Sequence, residues 1–432
     1  MLLCSRDLAT TAVRPADVEA IDRFRSRLIR MEGGTDFILD AAEEAEGCPL
    51  LPTYAAIFWL YAGTRAGVEA ARPFIAEAAA LQAQANDREQ QLFAATEAWA
   101  ANRPESVIEI LESLTAAYPR DQVAAKACEF QYYLTGQHHQ AQRFVAHMER
   151  IAEANADTSD IVAMRAFAHE LAGDYEAARR HAERAIELEY ATPWAHHALA
   201  HARFVNDEIE TGLREQEAFL PTWNLPGATI HGHNSWHLAL FHLRAGDMQR
   251  CLSLVPGRIW GALPESLTEQ TDAISLLWRI EMRGGTADDA MLGEIADVCE
   301  PLAEDALVPF AAAHHAWALA RAGREDAVGT LLSATRRAAA DPEEPRRRIW
   351  QEIGLSTVEA GIAAARGDAA GVVTALLDRV HLVAQVGGSD AQDDLWREAL
   401  VHALIGLGRA NEAREVAALF PGNRSAESLI AA

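Results

Sequence analysis

A glycine-containing turn that recurs between amphipathic segments is the feature that most constrains this fold. In its clearest copy, over residues 164–190, Gly173-Asp174 separates two segments whose apolar residues have helical spacing. Ala178 and Ala185 are small enough to let the two helices approach closely. The spacing between copies is roughly 35–45 residues or multiples of that, as in helical-repeat arrays. Further copies of the turn lie near Gly136, Gly246, Gly323, Gly367 and Gly408.

The repeated turn therefore predicts an all-α protein, a tetratricopeptide-repeat-like α-α solenoid. Alanine dominates the apolar half of the chain, and alanine has the highest helix propensity of all residues. Alternating runs of β-branched or aromatic residues are almost absent, so a sheet has little to build from. First helices of the repeats are expected at about 160–172, 193–205, 231–244, 270–283, 307–321, 346–365 and 390–406, and N-terminal helices at 79–101 and 104–118.

The repeats are predicted to form one continuous array. Residues 1–120 have a helical pattern with degenerate repeats, whereas residues 121–422 have clearer repeats and a histidine-rich centre. The sequence has no serine-, glycine- and proline-rich segment between the two parts, and such segments are typical of flexible linkers. We therefore expect the two parts to pack as a single solenoid.

The formal net charge of −25 bears on the partners. Phosphate binding needs clustered lysine and arginine, so we expect no nucleic acid as a partner. The basic run Arg346-Arg347-Arg348 is interpreted as the solvated start of a helix. The sequence has no run of about 18 apolar residues, the length needed to span a bilayer, so we expect no membrane partner either.

The number and spacing of the cysteines indicate the redox state of the cellular compartment. The five are dispersed, and no two of them form a CxxC pair. An odd number of scattered thiols favours a reducing environment over a disulfide framework. The N-terminal residues lack the basic region and apolar core of a signal peptide. We therefore predict a cytoplasmic protein with free thiols.

The histidines are the strongest chemical signal. Of the 16 in the chain, seven lie within residues 196–242. Two pairs have i,i+4 spacing, His197 with His201 and His233 with His237, which puts both imidazoles of a pair on one helical face. The pairs lie on opposite flanks of neighbouring first helices, and such flanks either face each other or point away. If the two flanks face each other, their four imidazoles could bind one divalent metal ion, such as zinc, iron or manganese.

Other side chains could complete a pocket around such an ion. Trp194 and Trp236 flank the histidine pairs, and Asp272 belongs to the next first helix. Glu352 and Asp390, on later first helices, are candidates for a catalytic base or for a carboxylate that orients a ligand. The alternative for each carboxylate is a helix-capping or surface charge, because acidic residues near helix starts satisfy free N–H groups.

Five segments carry a family resemblance: PWAHHALAH, HGHNSWHLAL, TDAISLLWRIEM, EIGL and QVGGSDAQDDLW. Through them, residues from about Ile161 to Ala410 resemble the tetratricopeptide repeat protein 38 family. The resemblance implies a tetratricopeptide-like superhelix that curls toward a ring. It adds Asn234 and Gln392 to the candidate ligand-binding residues, and it implies no particular reaction.

Two functional hypotheses follow. The first is a solenoid whose internal histidine- and tryptophan-lined pocket binds a small molecule, and in its stronger form this is a metal-dependent hydrolase or oxygenase. The alternative is a protein-interaction scaffold that binds a peptide in its concave groove, a common role for helical repeats.

Overall fold

The computed structural model describes residues 2–225, 227–419 and 425–431. Over these ranges it contains 24 α-helices and one antiparallel hairpin, made of β1 (Leu2–Leu3) and β2 (Ala9–Thr10). The all-α solenoid predicted from the repeated turn is confirmed. The helices are α1 (Pro15–Arg30), α2 (Phe37–Glu43), α3 (Leu50–Leu60), α4 (Arg65–Ala80), α5 (Asp87–Ala100), α6 (Pro104–Ala117), α7 (Gln122–Thr135), α8 (Ala141–Ile151), α9 (Ser159–Leu171), α10 (Tyr175–Leu188), α11 (Pro193–Val205), α12 (Ile209–Phe219), α13 (Thr229–Arg244), α14 (Met248–Ser253), α15 (Leu267–Met282), α16 (Asp289–Cys299), α17 (Pro309–Arg321), α18 (Glu325–Ala340), α19 (Arg347–Ile349), α20 (Leu355–Ala365), α21 (Ala369–Leu376), α22 (Asp390–Gly406), α23 (Ala410–Ala418) and α24 (Ser425–Ala431).

The turn that suggested the repeats works through two adjacent residues. Gly173 has a φ of +82°, a left-handed conformation that glycine adopts without steric cost. The Asp174 carboxylate then accepts a hydrogen bond of 3.1 Å from the Ala177 backbone N–H and so caps α10. Gly367-Asp368 repeats the arrangement before α21. The dipeptide therefore ends one helix and starts the next.

Two predicted helices have different bounds in the structure. The segment predicted at 79–101 is split, because α4 ends at Ala80 and α5 begins only after Asn86. The Asn86 side chain accepts from the Glu89 N–H, and the Glu89 carboxylate accepts from the Asn86 N–H. This capping box fixes a new helix start. The segment predicted at 346–365 contains a π-helical turn over Trp350–Gly354.

The first helices of successive repeats pack side by side. The series α9, α11, α13, α15, α17 and α20 forms the inner wall of the array. The helix α22 packs against α15 rather than only against the preceding repeat. It also reaches α11 through Asp390 and His201, and α17 through Trp396 and His314. The helix α22 is almost wholly buried, so it fills the space that the other first helices enclose.

The array closes where the segment before α22 meets the end of α7. Gln137 N–H donates to the Gly388 carbonyl, and Gly388 N–H donates to the Tyr133 carbonyl, each at 2.8 Å. Arg346 donates to the Leu134 carbonyl at 2.7 Å and is 4% exposed. Our interpretation of residues 346–348 as a solvated helix start is therefore wrong for Arg346. Its guanidinium satisfies a carbonyl at the end of α7 that the helix itself leaves unpaired.

The same closure predicts the effect of substituting Gly136. This residue has a φ of +93°, and an alanine Cβ there would lie 1.7 Å from the Ala384 carbonyl oxygen. We expect Gly136→Ala to lower the free energy of unfolding by more than about 1 kcal/mol, measured by urea denaturation. The control is Gly173→Ala, where φ is also positive but no heavy atom of the described residues lies within 4 Å of the added Cβ. Equal losses in the two variants would contradict the close approach.

Two further features bear on the sequence predictions. No helix among the described residues is long and apolar enough to cross a membrane. All five cysteines are buried and free. Burial raises the pKa of Cys48 to about 11 and that of Cys251 to about 12, which makes these thiols poor nucleophiles. The cytoplasmic location stays a prediction.

Candidate metal centre

The structure brings the two histidine pairs together, so the facing arrangement is the one that occurs. The pairs lie on α11 and α13, which are neighbours in the inner wall. Ring centroids are 4.6 Å apart for His197 and His201, and 4.8 Å apart for His233 and His237. Between the helices, the centroid of His237 lies 4.5 Å from that of His201 and 4.9 Å from that of His197.

The donor atoms of this histidine cluster fit a metal ion. His197, His201 and His237 each place one ring nitrogen within 4.8 Å of the others. Ring nitrogens of all three lack a hydrogen-bond partner among the described residues. His233 lies at the edge, with its Nε2 3.2 Å from His197 Nε2. Buried polar atoms without partners are costly, and a metal ion would satisfy them together.

Carboxylates contact the outer nitrogens of the cluster. Asp272 Oδ2 lies 2.8 Å from His233 Nδ1, and the Gln392 amide donates to the other Asp272 oxygen at 3.5 Å. Asp390 Oδ1 lies 2.9 Å from His201 Nδ1. Carboxylates commonly hold metal-binding imidazoles in this way, fixing the tautomer and the ring orientation. Asp272, Gln392 and Asp390 therefore lie where the sequence predicted site residues.

The electrostatics keep two of the imidazoles neutral. Burial, followed by the neighbouring imidazoles, lowers the pKa of His197 and of His237 well below the ordinary value. Burial acts to raise the pKa of Asp390, but the charge and hydrogen bond of His201 outweigh it and lower that pKa to about 2. Neutral imidazole is the form that binds metals, so this pocket favours the ligand state of the two rings.

The tryptophans and Asn234 position the histidines from outside. The Trp236 ring stacks on His233 at 5.3 Å, and its indole N–H donates to Ser275 Oγ at 3.0 Å. The Asn234 amide donates to the Pro193 carbonyl at 2.9 Å and so ties α13 to the start of α11. Trp194 lies edge-on to His197, with its N–H bonded to the Ile29 carbonyl. The Asn234 amide nitrogen therefore links the two helices, while the Asn234 Oδ1 is buried without a hydrogen-bond partner among the described residues.

Glu352 is not part of the cluster. It lies on the partly exposed face of the π-helical turn, where its carboxylate pairs with Arg348 at 2.8 Å. This is an i,i+4 surface pair of the ordinary kind. The prediction that Glu352 is a catalytic residue is therefore corrected, because its position on the helix points its side chain away from the inner wall.

Sequence reasoning missed the contribution of α7. A cavity of about 60 Å³ beside the histidines is lined by residues of this helix, among them Lys126, Glu129 and Tyr133, together with His197 and His233. Lys126 Nζ pairs with Glu129 at 2.6 Å and lies 4.0 Å from the centroid of the Trp194 ring. A larger cavity of about 490 Å³ shares Lys126 and Phe130 with it. The available signal was the pair of charges in AAKACEF, which stands in an otherwise uncharged helix.

The chain matches solved structures but no model of a known protein family. Among solved structures, human IFIT1 dimer with m7Gppp-AAAA matches at 14% identity and a TM-score of 0.37, over 94% of this chain and 95% of that one. An IFIT1 monomeric mutant with Gppp-AAAA matches at 15% identity and a TM-score of 0.37, over 93% and 95% of the two chains. Likeness at this level carries no argument about what this chain binds.

One prediction is corrected here. The two matched IFIT1 structures contain Gppp-AAAA and m7Gppp-AAAA. The exclusion of nucleic acid rested on net charge alone and is withdrawn. Net charge is a property of the whole surface and does not describe the charge of a particular pocket.

Proposed function

We propose that the protein binds a divalent metal ion at the histidine cluster and uses it to hold a small molecule. The observation that carries the proposal is the convergence of three buried imidazoles, His197, His201 and His237, whose ring nitrogens lack partners among the described residues. Most buried polar atoms in proteins are hydrogen-bonded, and although His147 is also buried with both nitrogens unpartnered, only at the cluster do three buried imidazoles with unpartnered nitrogens converge among the described residues. His196, on the same helix as His197, is a buried histidine whose nitrogens both have partners.

The ligand set favours zinc, iron or manganese. Imidazoles suit all three metals, and nearby carboxylates add affinity for the harder ions. Such an ion supplies Lewis-acid activation of water or binding of dioxygen, which is the basis for a hydrolase or an oxygenase. Asp272 would hold His233 in one orientation, and Trp236 would close the pocket behind it. Asp390 remains the candidate for a base or an orienting carboxylate.

The cavities next to α7 offer a place for the small molecule. His197 and His233 line the smaller cavity, and Phe58, Tyr61 and Phe130 line the larger one. Aromatic walls with a few polar groups are typical of small-molecule sites. The Lys126–Glu129 pair lines the smaller cavity together with His197 and His233. A ligand with an apolar body and a polar head would fit this distribution.

We also propose membership of the tetratricopeptide repeat protein 38 family. The support is that residues of the resembling segments, His197, His201, His233, His237 and Asp272, meet at one place in the fold. The family identity itself still rests on sequence resemblance.

The alternative function, a protein-interaction scaffold, is favoured by the repeat architecture itself. The helix α22 restricts where a peptide could bind, because it fills the inner space where an open solenoid has its groove. A peptide or protein partner would therefore bind the outer helices or the rim. A protein-interaction scaffold needs no bound metal, so metal binding distinguishes the two proposed functions.

Cobalt substitution tests the proposed function. We expect chelator-treated protein to bind Co²⁺ with a visible absorption band, and azide to shift that band by taking an open position of the ion. Small-molecule metal sites keep such a position, whereas structural sites are closed. A cobalt band that saturating azide leaves unchanged would contradict small-molecule binding at the metal. Absence of any cobalt band would favour the scaffold.

A further inference from the structure

The structure has a second group of donor atoms beside the histidine cluster. Glu170, His201 and Asp390 each offer one ligand atom, and these atoms lie within 4.8 Å of one another. We propose that they bind a second divalent cation and that the centre is dinuclear, with His201 shared between the two ions. This inference rests on the proposed function, because the first ion is the one assigned to the histidine cluster.

Glu170 is the observation that points to a ligand. The residue is 1% exposed, and neither carboxylate oxygen has a hydrogen-bond partner among the residues described. Its Oε2 lies 3.5 Å from His201 Nδ1. A buried carboxylate without a cation or a donor carries a large desolvation cost. A cation between Glu170 and Asp390 would remove that cost.

The surrounding charges also favour a cation. Asp390 and Asp393 lie one turn apart on α22, and both oxygens of Asp393 are buried without a hydrogen bond in the described chain. Glu170 places a third buried carboxylate beside Asp390. The Asp390 side chain is 14% exposed, which leaves a route by which an ion could enter.

His201 connects the two groups. Its Nδ1 faces the carboxylates, 2.9 Å from Asp390 and 3.5 Å from Glu170. Its other nitrogen, Nε2, is left for the histidine cluster and lacks a hydrogen bond within the described residues. One imidazole can bind an ion through each nitrogen when it loses its N–H proton to solvent. Oxygen-rich and nitrogen-rich donor sets then lie on its two sides, and the oxygen-rich side suits the harder ion.

Metal stoichiometry tests the second site with zinc as the probe. Chelator-treated protein is dialysed against zinc and its bound metal is measured by mass spectrometry. All proteins in the test carry His169→Ala, which removes the surface donor group of Glu149, His169 and His181. On this background, referred to as the wild type of the test, we expect two ions per chain, one in Glu170→Gln and one in His237→Ala. Asp393→Asn is the matched control, because it removes an equally buried carboxylate outside the donor set, and it should keep two. If Glu170→Gln does not fold, judged by circular dichroism, Asp390→Asn makes the same test.

The outcomes separate this inference from the proposed function. One ion in the wild type, lost in His237→Ala and kept in Glu170→Gln, would overturn the second site and leave the first intact. Loss of an ion in Asp393→Asn as well would overturn the assignment to Glu170, because buried charge alone would then explain the result. Absence of bound zinc in the wild type would overturn both proposals.

Discussion

His237→Ala is expected to weaken zinc binding at the histidine cluster by more than about 100-fold. Losing a residue that only hydrogen-bonds to a metal ligand already lowers metal affinity about 10–100-fold, and His237 is proposed as a ligand itself. The substitution removes one of three ring nitrogens that lie within 4.8 Å of one another. Isothermal titration of chelator-treated protein with zinc measures the change. His201→Ala should lose at least as much, because His201 contributes to both donor groups.

His196→Ala is the matched control for these variants. His196 lies on α11 beside His197 and is fully buried. Its ring stacks on Phe219 at 3.8 Å and bonds to the Tyr190 carbonyl and the Trp223 indole. We expect this variant to lose stability and keep its zinc affinity. Equal loss of zinc in the control would show that packing, rather than coordination, explains the effect.

The second large effect is on stability. Glu398→Ala is expected to lower the free energy of unfolding by about 3–5 kcal/mol, the usual cost of breaking a buried ion pair by removing one partner. Glu398 accepts from Arg279 at 3.0 Å and from Arg283 at 2.7 Å. Both Glu398 and Arg279 are 2% exposed. These bonds hold α22 to α15, so their loss leaves buried charge at the centre of the array.

Glu352→Ala provides the comparison, measured by urea denaturation under the same conditions. Its pair with Arg348 is exposed and has i,i+4 spacing, so we expect a loss of only about 0.3–0.5 kcal/mol. A loss below about 1 kcal/mol in Glu398→Ala would contradict the proposed role of α22 as a buried central helix.

The sequence predicts the histidine cluster well because local spacing and the order of the repeats determine where these histidines lie. Spacing of i,i+4 fixes which face carries His197 and His201, and the same rule applies to His233 and His237. The repeat pattern then makes α11 and α13 neighbours. Only the structure shows whether the histidine-bearing flanks of α11 and α13 face each other or point away.

The rest of the site depends on contacts that no local pattern encodes. Asp390 reaches His201 because α22 folds back into the array, across nearly 190 residues of sequence. Lys126 lines the cavity for a similar reason, since closure brings α7 to the centre. Burial of Arg346 follows from that closure too. Glu352 failed as a candidate because a carboxylate on a first helix can lie on either face, and its partner Arg348 occurs on the outer one.

The most direct test of the metal centre is anomalous X-ray diffraction from crystals of the zinc-loaded protein, recorded at the zinc edge. We predict a strong peak enclosed by His197, His201 and His237. A surface group, Glu149 with His169 and His181, also offers ligand atoms within 4.8 Å of one another. Zinc density at that surface group, with none among the three buried histidines, would contradict the account.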